Sequence, residues 1–271
     1  MHIVVCVKMV PDTTQVSIDP VTNTLVREGV PFITNPYDTN AVEEAIRFKD
    51  KYGAYVTAVS MGPPNAESVL RKAISIGADE GILLSDRAFG GADTLATSTV
   101  LGLAIKKIDE KRPVDIVLCG KQTIDGDTAQ VGPGIARRMD ITQLTLVDEV
   151  ISVNQDKKLI KVRRKLETYH EVVEAQLPVM MTVEREINDP RYPTVPGRLD
   201  ADDIQIQVWN NAFLKLDPNS IGLLGSPTQV RRIFAPEREA GEVMNGEGDQ
   251  MTVATDTMFD KLKEWDFITT S

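Results

Sequence analysis

The sequence is poor in the residues that form disulfides, metal sites and histidine-based triads. Its 271 residues include two cysteines and two histidines. Cys6 lies inside an apolar strand pattern and Cys119 closes another, without a CxxC spacing, which favours two reduced core thiols over a disulfide or a metal site. His2 and His170 are isolated in the sequence, so a metal centre or a histidine-based triad has little support.

Basic residues and long apolar runs are also scarce. There are 30 lysines and arginines against 40 acidic residues, a formal net charge of −10 at pH 7, which argues against general binding to nucleic acid or to an anionic membrane. No apolar run approaches the roughly 20 residues of a spanning helix, and the chain enters a strand pattern without a signal peptide. We therefore expect a cytoplasmic protein without membrane insertion.

Apolar strand patterns alternate with amphipathic helix patterns in the first half of the chain. The strand patterns lie at 2–7, 55–60, 81–84 and 114–119, and the helix patterns at 35–53, 66–77, 93–108 and from about 130 to 138. A hairpin or meander is expected at 16–32. This alternation implies right-handed crossovers and an α/β fold with a mostly parallel, doubly wound sheet.

After Arg138 the pattern changes to strand-like segments separated by short polar turns. They lie at 143–153, 158–165, 169–175 and 179–183, and we expect them to extend the sheet as antiparallel strands. A basic cluster lies among them, formed by Lys157, Lys158, Lys161, Arg163, Arg164 and Lys165. Because apolar residues alternate with these positions, a solvated strand face is favoured over a binding patch.

From Glu184 onwards the periodicity is weak. Residues 188–197 contain three prolines in ten positions and predict an exposed, extended loop. Residues 237–249 are rich in glycine and glutamate and are predicted to be mobile, and 255–265 has the spacing of a final short helix. Such a tail must lie on something, either a partner chain or its own domain. We therefore divide the chain into an α/β domain, 1–185, and a C-terminal arm with a helix, 186–271.

The stretch from 114 to 138 is the most informative one for function. Gly120 and Gly126 permit a backbone with positive φ, and the polar residues between Asp127 and Gln130 can cap the next helix or reach a ligand. Pro133 must lie early in that helix, because deeper inside it would cost roughly 3 kcal/mol. A polar loop that opens a helix has an anion-binding geometry. An ordinary strand-to-helix turn explains the same residues.

Two common nucleotide-binding motifs are absent from the sequence. No GxGxxG follows the first strand pattern, and no GxxxxGK[ST] occurs. The remaining candidates for a nucleotide site are the loops at the carboxyl ends of the strands, which converge if the sheet is parallel. These loops lie at 6–8, 60–62, 85–92 and 120–127.

Several spaced motifs together resemble those of the beta subunit of electron transfer flavoprotein. They are VCVKMVPD at 5–12, NPYD at 35–38, AVEEA at 41–45, GAD at 77–79 and GKQTIDGDTAQVG at 120–132. The resemblance covers nearly the whole chain, including NDPRY at 188–192 and the C-terminal helix. It implies a fold similar to adenine-nucleotide alpha hydrolases, with 1–185 as the nucleotide- and FAD-binding domain, and a heterodimer with an alpha subunit that carries one FAD. The arm, 186–271, is then expected to pack on that alpha subunit.

The resemblance also implies an adenine-nucleotide site within this subunit. By position, its residues are Cys6, Asn35, Pro36, Tyr37, Asp38, Met61, Gly120, Lys121, Gln122, Thr123, Ile124, Asp125, Gly126, Asp127, Thr128, Ala129, Gln130 and Val131. Non-bifurcating members of the family hold AMP there as a structural ligand. Electron-bifurcating members hold a second FAD, with an NADH site beside its isoalloxazine.

The segment 85–98 separates those two types, because it resembles bifurcating beta subunits and is absent from mitochondrial-type ones. A glycine pair lets the backbone approach a ligand, Asp93 or Thr94 can cap the following helix, and Arg87 offers a positive charge to a pyrophosphate. We therefore predict NAD binding by Arg87, Phe89, Gly90, Gly91, Ala92, Asp93, Thr94 and Thr97.

The function implied by the resemblance is electron transfer. The subunit is expected to take a hydride from NADH at its FAD and to split the electrons. One electron would pass to the alpha-subunit FAD and an acyl-CoA-type or other flavin dehydrogenase, and the other to ferredoxin or flavodoxin. No side chain need be catalytic, because the chemistry belongs to the flavin. The alternatives are a non-bifurcating carrier with AMP, and a redox-inactive nucleotide-binding module similar to universal stress proteins. Acidic residues at 198–203 replace the lysine-rich docking loop of mitochondrial-type members, so the mitochondrial dehydrogenase partner cannot be assumed.

Overall fold

The computed structural model describes residues 1–12, 17–18, 25–26, 31–229, 243–244, 247–248 and 250–268. The chain divides into two compact units, Met1–Arg232 and Ile233–Ser271. Most of the predicted meander at 16–32 and most of the predicted mobile segment at 237–249 lie outside the described residues.

The first unit contains the predicted alternation of strands and helices. Its strands are β1 (His2–Cys6), β2 (Met9–Pro11), β3 (Ser17–Ile18), β4 (Leu25–Val26), β5 (Phe32–Thr34), β6 (Tyr55–Met61), β7 (Glu80–Leu84), β8 (Ile116–Gly120), β9 (Thr142–Asn154), β10 (Leu159–Lys165), β11 (His170–Gln176), β12 (Val179–Val183) and β13 (Gln207–Trp209). Its helices are α1 (Pro36–Tyr52), α2 (Glu67–Ser75), α3 (Thr94–Asp109), α4 (Val131–Met139), α5 (Val195–Asp203) and α6 (Asn211–Leu214).

A nine-stranded sheet runs through this unit in the order β11-β10-β9-β12-β8-β1-β6-β7-β13. The strands from β12 to β13 all run parallel to their neighbours. Helices α1 and α2 cover one face with one apolar cluster, and α3 and α4 cover the other face with a second cluster. Because the central strands are buried on both faces, they read as continuous apolar runs. The predicted α/β class with a mostly parallel, doubly wound sheet is confirmed.

Two strands of the nine-stranded sheet differ from the prediction. β12 was expected to be antiparallel, but Val179 pairs in parallel with Ile116 of β8 and with Thr142 at the start of β9. β13 was not predicted as a strand, and it pairs in parallel with β7 at the edge of the sheet. The five residues of β12 are all buried, and a short apolar run of this kind contains no information about strand direction.

The segment that begins at Asn188 packs on α1. The Asn40 side chain donates hydrogen bonds to the main-chain and side-chain oxygens of Asn188, at 2.8 and 3.1 Å. The guanidinium of Arg191 pairs with Glu43 at 2.9 Å and with Asp50 at 2.8 Å. This segment is therefore fastened to its own domain at its root, and packing of the arm on an alpha subunit stays a prediction.

The extended loop predicted at 188–197 ends earlier than expected. Thr194 caps α5 by accepting a hydrogen bond from Gly197 N at 3.1 Å, so residues 195–197 are helical. Pro196 lies in the first turn, where its missing N–H disrupts no helical hydrogen bond. The expectation that 195–197 continue the loop was therefore wrong.

The basic cluster is partly neutralised within the sheet. Arg163 pairs with Asp148 at 3.0 Å and Lys165 with Glu186 at 2.7 Å. Arg164 pairs with a carboxylate on the neighbouring strand β11. These ion pairs support the solvated strand face over a patch that binds an anionic partner.

The described part of the second unit contains α7 (Gln250–Glu264). The helix predicted at 255–265 is therefore present and begins five residues earlier. None of the residues of α7 is buried, and Met251, Val253, Met258 and Phe259 are among its exposed apolar side chains. Among the described residues, no helix combines the length and the apolar character needed to cross a membrane.

Candidate functional site

A cavity of about 940 Å³ lies at the carboxyl ends of β1, β6, β7 and β8. These four strands run parallel, so the loops that follow them meet at one edge of the sheet. This is the convergence that the sequence predicts for the loops at 6–8, 60–62, 85–92 and 120–127. In open α/β sheets, such an edge is the usual position of a ligand site.

Most residues that the resemblance assigns to nucleotide binding line this cavity. From the adenine-nucleotide set they are Cys6, Asp38, Met61, Gly120, Lys121, Gln122, Thr123, Gly126, Thr128, Ala129, Gln130 and Val131. The whole NAD set also lines it: Arg87, Phe89, Gly90, Gly91, Ala92, Asp93, Thr94 and Thr97. The residues that do not line it are Asn35, Pro36, Tyr37, Ile124, Asp125 and Asp127. Their roles in binding stay predictions.

Asn35 lies beneath the loop that follows β8. Its side chain is fully buried, donates to the carbonyl oxygen of Gln122 at 2.9 Å and accepts from Ile124 N at 3.2 Å. Both contacts are with the main chain of the loop. Asn35 therefore holds the loop in place, which explains why it does not line the cavity itself.

Asp38 connects two of the loops at the cavity. Its carboxylate accepts hydrogen bonds from Lys8 N at 2.8 Å and from Gly120 N at 3.2 Å, so it joins the chain after β1 to the end of β8. Burial raises the pKa of Asp38 to about 7, although Asn35 and these two N–H groups act in the opposite direction. An ionised carboxylate here strengthens both connections at the cost of its desolvation.

Gly120 is required by close approach and not by its backbone angle. A Cβ atom at this position would lie 2.5 Å from Asp38 Oδ1 and 2.6 Å from Tyr37 Cβ. Neither Gly120 nor Gly126 uses the positive φ that glycine permits; the residues of this loop with positive φ are Asp127, at 51°, and Ala129, at 54°. Such a conformation is uncommon for side chains other than glycine and indicates local strain.

The start of α4 forms one wall of the cavity. The helix begins at Val131, its N-cap residue Gln130 makes no side-chain capping hydrogen bond, and Gln130 instead accepts from Thr94 Oγ1 at 2.9 Å. Pro133 is the third helical residue, as predicted. Of the two roles that the sequence left open for Gln130, capping is not observed, and the residue lines the cavity instead. An uncapped helix start presents N–H groups and a positive dipole end to an anion.

The start of α3, on the other side of the cavity, is already capped. Asp93 accepts from Leu95 N at 2.9 Å and from Ala96 N at 3.0 Å, which confirms its predicted role as a cap. Its second oxygen accepts from the Thr228 hydroxyl at 2.8 Å. Because this carboxylate already occupies the positive end of α3, the start of α4 is the better position for a phosphate.

The cationic side chains around the cavity differ in whether they pair with a carboxylate. Lys8 pairs with Asp125 at 2.6 Å and Lys121 with Glu184 at 2.9 Å. Arg87 is exposed and pairs with no carboxylate within the ranges that the structure describes. Its guanidinium is therefore available to an anionic ligand in the cavity.

Some lining residues were missed by reasoning from the sequence. They are Val59, Pro63, Pro64, Leu101, Cys119 and Gly132. Gly132 has a steric reason that no local pattern contains, because a Cβ there would lie 2.6 Å from Thr182 Cγ2 of β12. No cluster of three metal-ligating side chains occurs in the described part of the chain.

Comparison with known proteins identifies the class to which this α/β fold and its cavity belong. The family profile described as "Electron transfer flavoprotein domain" matches residues 22–214. The chain therefore belongs to the electron transfer flavoprotein family.

Its relatives in that family include proteins named as beta subunits. The electron transfer flavoprotein subunit beta of Clostridium acetobutylicum is 48% identical over 99% of this chain and 100% of its own length. Protein FixA of Azotobacter vinelandii is 50% identical over 88% of this chain and 85% of its own. The caffeyl-CoA reductase-Etf complex subunit CarD of Acetobacterium woodii is 48% identical over 97% of this chain and 98% of its own.

Proposed function

We propose that this chain is the beta subunit of a heterodimeric electron transfer flavoprotein that binds FAD in the cavity and NADH beside it. The observation that best supports this proposal is the size of the cavity. At about 940 Å³ it lies near the upper end of the roughly 300–1,000 Å³ that small-molecule sites span. It also joins the start of α4 and the Arg87–Thr97 segment in one space, where a mononucleotide would fill only a part.

The residues present suit a ligand that carries phosphates. The uncapped start of α4 offers main-chain donors, and Arg87 offers a charge-assisted hydrogen bond. Asn35 and Asp38 hold the loops after β1 and β8 in position. Bound flavin would supply the redox chemistry, and the protein would supply binding, orientation and the surrounding electrostatics.

The proposed partners are an alpha subunit with its own FAD, an acyl-CoA-type or other flavin dehydrogenase, and ferredoxin or flavodoxin. In this proposal, electrons from NADH are bifurcated between the dehydrogenase branch and the ferredoxin or flavodoxin branch. A relative named as a subunit of a caffeyl-CoA reductase-Etf complex supports a dehydrogenase that acts on a CoA ester. The cytoplasmic location stays a prediction from the sequence.

A non-bifurcating carrier with AMP in the same cavity is the second candidate. The Asp93 carboxylate favours it, because it occupies the start of α3, so that of the two facing helices α3 and α4 only α4 offers an uncapped start to a phosphate. One phosphate group needs only one such position.

The number of flavins distinguishes the two candidates. The chain would be co-expressed with its alpha subunit, and the nucleotides of the purified heterodimer would be extracted and quantified. Two FAD per heterodimer, and flavin reduction by NADH, are expected. One FAD and one AMP, without reduction by NADH, would refute the bifurcating function and support the carrier.

A further inference from the structure

The only two cysteines of the chain lie side by side at the cavity. Val5 of β1 pairs with Leu118 of β8, so the next residues of the two parallel strands, Cys6 and Cys119, are neighbours. Both side chains belong to the same apolar cluster, both line the cavity and both are free thiols. The Cys6 thiol is close enough to that of Cys119 to raise its pKa.

A direct disulfide between these thiols does not suit the sheet. The Cβ atoms of residues directly opposite each other on paired strands are about 4.5–5.5 Å apart, whereas the Cβ atoms of a disulfide are about 3.5–4.5 Å apart. Strands β1 and β8 are each paired on both sides in the middle of the nine-stranded sheet, so they resist being drawn together. A single atom that bridges the two sulfurs does not require the strands to move closer together.

We propose that Cys6 and Cys119 form a chelating dithiol site in the wall of the cavity, which binds trivalent arsenicals and similar thiophilic groups through one bridging atom. With phenylarsine oxide, two S–H bonds and the bonds from arsenic to its oxygen break, and two As–S bonds form. The two protons leave with the oxygen as water. No electrons are transferred, so the step requires no oxidant.

The advantage of this site is the proximity of the two sulfurs. Once one sulfur is bound, the second binds intramolecularly, which raises the overall affinity by roughly 10²–10⁴ over a single thiol. The neighbouring Cys6 thiol and burial raise the pKa of the Cys119 thiol well above its usual value. Reagents that require a thiolate, such as iodoacetamide, should therefore react slowly with the folded protein.

The test is a titration of the purified full-length chain with phenylarsine oxide, followed by intact mass and by counting free thiols. One phenylarsenic group per chain, with both thiols consumed, is expected. Cys6→Ser and Cys119→Ser should each weaken binding by roughly 10²–10⁴, with unchanged circular dichroism, and the double variant should not bind. Single variants that bind as tightly as the wild type, or two arsenicals per chain, would overturn the proposal.

Oxidation of the wild type provides a measurement that does not depend on variants. After treatment with diamide, the folded protein should keep both free thiols and still bind the arsenical. An internal disulfide, seen as the loss of both thiols without an added mass, would contradict the bridging geometry.

One further experiment rests on the proposed nucleotide site. Saturation of the cavity with FAD or AMP, verified by calorimetry, should slow the reaction with phenylarsine oxide. Equal reaction rates with and without bound nucleotide would contradict the inference that the two thiols lie at the nucleotide site. Failure of either nucleotide to bind would count against the proposed function alone, because the arsenical titration is measured without nucleotide.

Discussion

The buried carboxyl of Asp38 predicts an unusual dependence of stability on pH. Its pKa rises from an ordinary value of 3.8 to about 7, mainly through burial. In the pH range between these values the unfolded chain has lost this proton while the folded chain retains it, so stability decreases as pH rises. At about 1.36 kcal/mol per pH unit, the whole effect is roughly 4 kcal/mol. Most of it, about 3 kcal/mol, falls between pH 4.5 and 8.

Asp38→Asn removes this titration and keeps the shape of the side chain. The amide can accept a hydrogen bond from Lys8 N or from Gly120 N but not from both, which costs roughly 1–3 kcal/mol at every pH. Relative to the wild type, the variant should therefore gain about 3 kcal/mol of stability between pH 4.5 and 8. At pH 8 its net stability should lie close to or above that of the wild type.

Urea unfolding at a series of pH values measures this difference directly. Asp127→Asn, which removes an exposed carboxylate from the loop after β8, is the matched control for the loss of one charge. A stability difference between Asp38→Asn and the wild type that is the same at every pH would refute the reasoning. So would a variant that is disfavoured more strongly at pH 8 than at pH 4.5.

Three other changes follow from the geometry of the site. Gly120→Ala should lower the free energy of unfolding by roughly 1–3 kcal/mol or more through overpacking, whereas Gly126→Ala should change it little, because the added Cβ meets only a hydroxyl at 3.6 Å. Equal effects of the two variants in urea unfolding would contradict the steric role of Gly120. Arg87→Ala should raise the NADH concentration needed for half-reduction of the flavin by about tenfold to a hundredfold, while reduction by dithionite stays unchanged and Arg137→Ala serves as the control. An unchanged NADH concentration would exclude a contact between Arg87 and NADH. Arg191→Ala removes one of the two guanidinium partners of the buried Glu43 carboxylate, the other being Arg47, so stability should fall by roughly 1.5–3 kcal/mol and proteolysis within 189–199 should become faster. An unchanged cleavage rate would show that other contacts hold the arm.

Local sequence determined the elements of this fold and the approximate position of its site. Strands and helices of the first half follow the period of apolar residues, because that period decides which face of each segment is buried. Asp93 as a helix cap and Pro133 in the first turn follow from hydrogen-bonding requirements of neighbouring residues. The convergence of the strand-end loops follows from parallel strands, and parallel strands follow from the alternation of elements.

Tertiary structure alone decided the features that depend on residues distant in sequence. The direction of β12 and the addition of β13 depend on which strands are neighbours, and a short apolar run does not encode its partner. The requirement for glycine at position 120 arises from the approach of α1, and the functions of Asn35 and Asp38 arise from main-chain groups more than 80 residues away or across a strand end. The same holds for the contact of Cys6 with Cys119, because only the register of β1 against β8 brings the two thiols together.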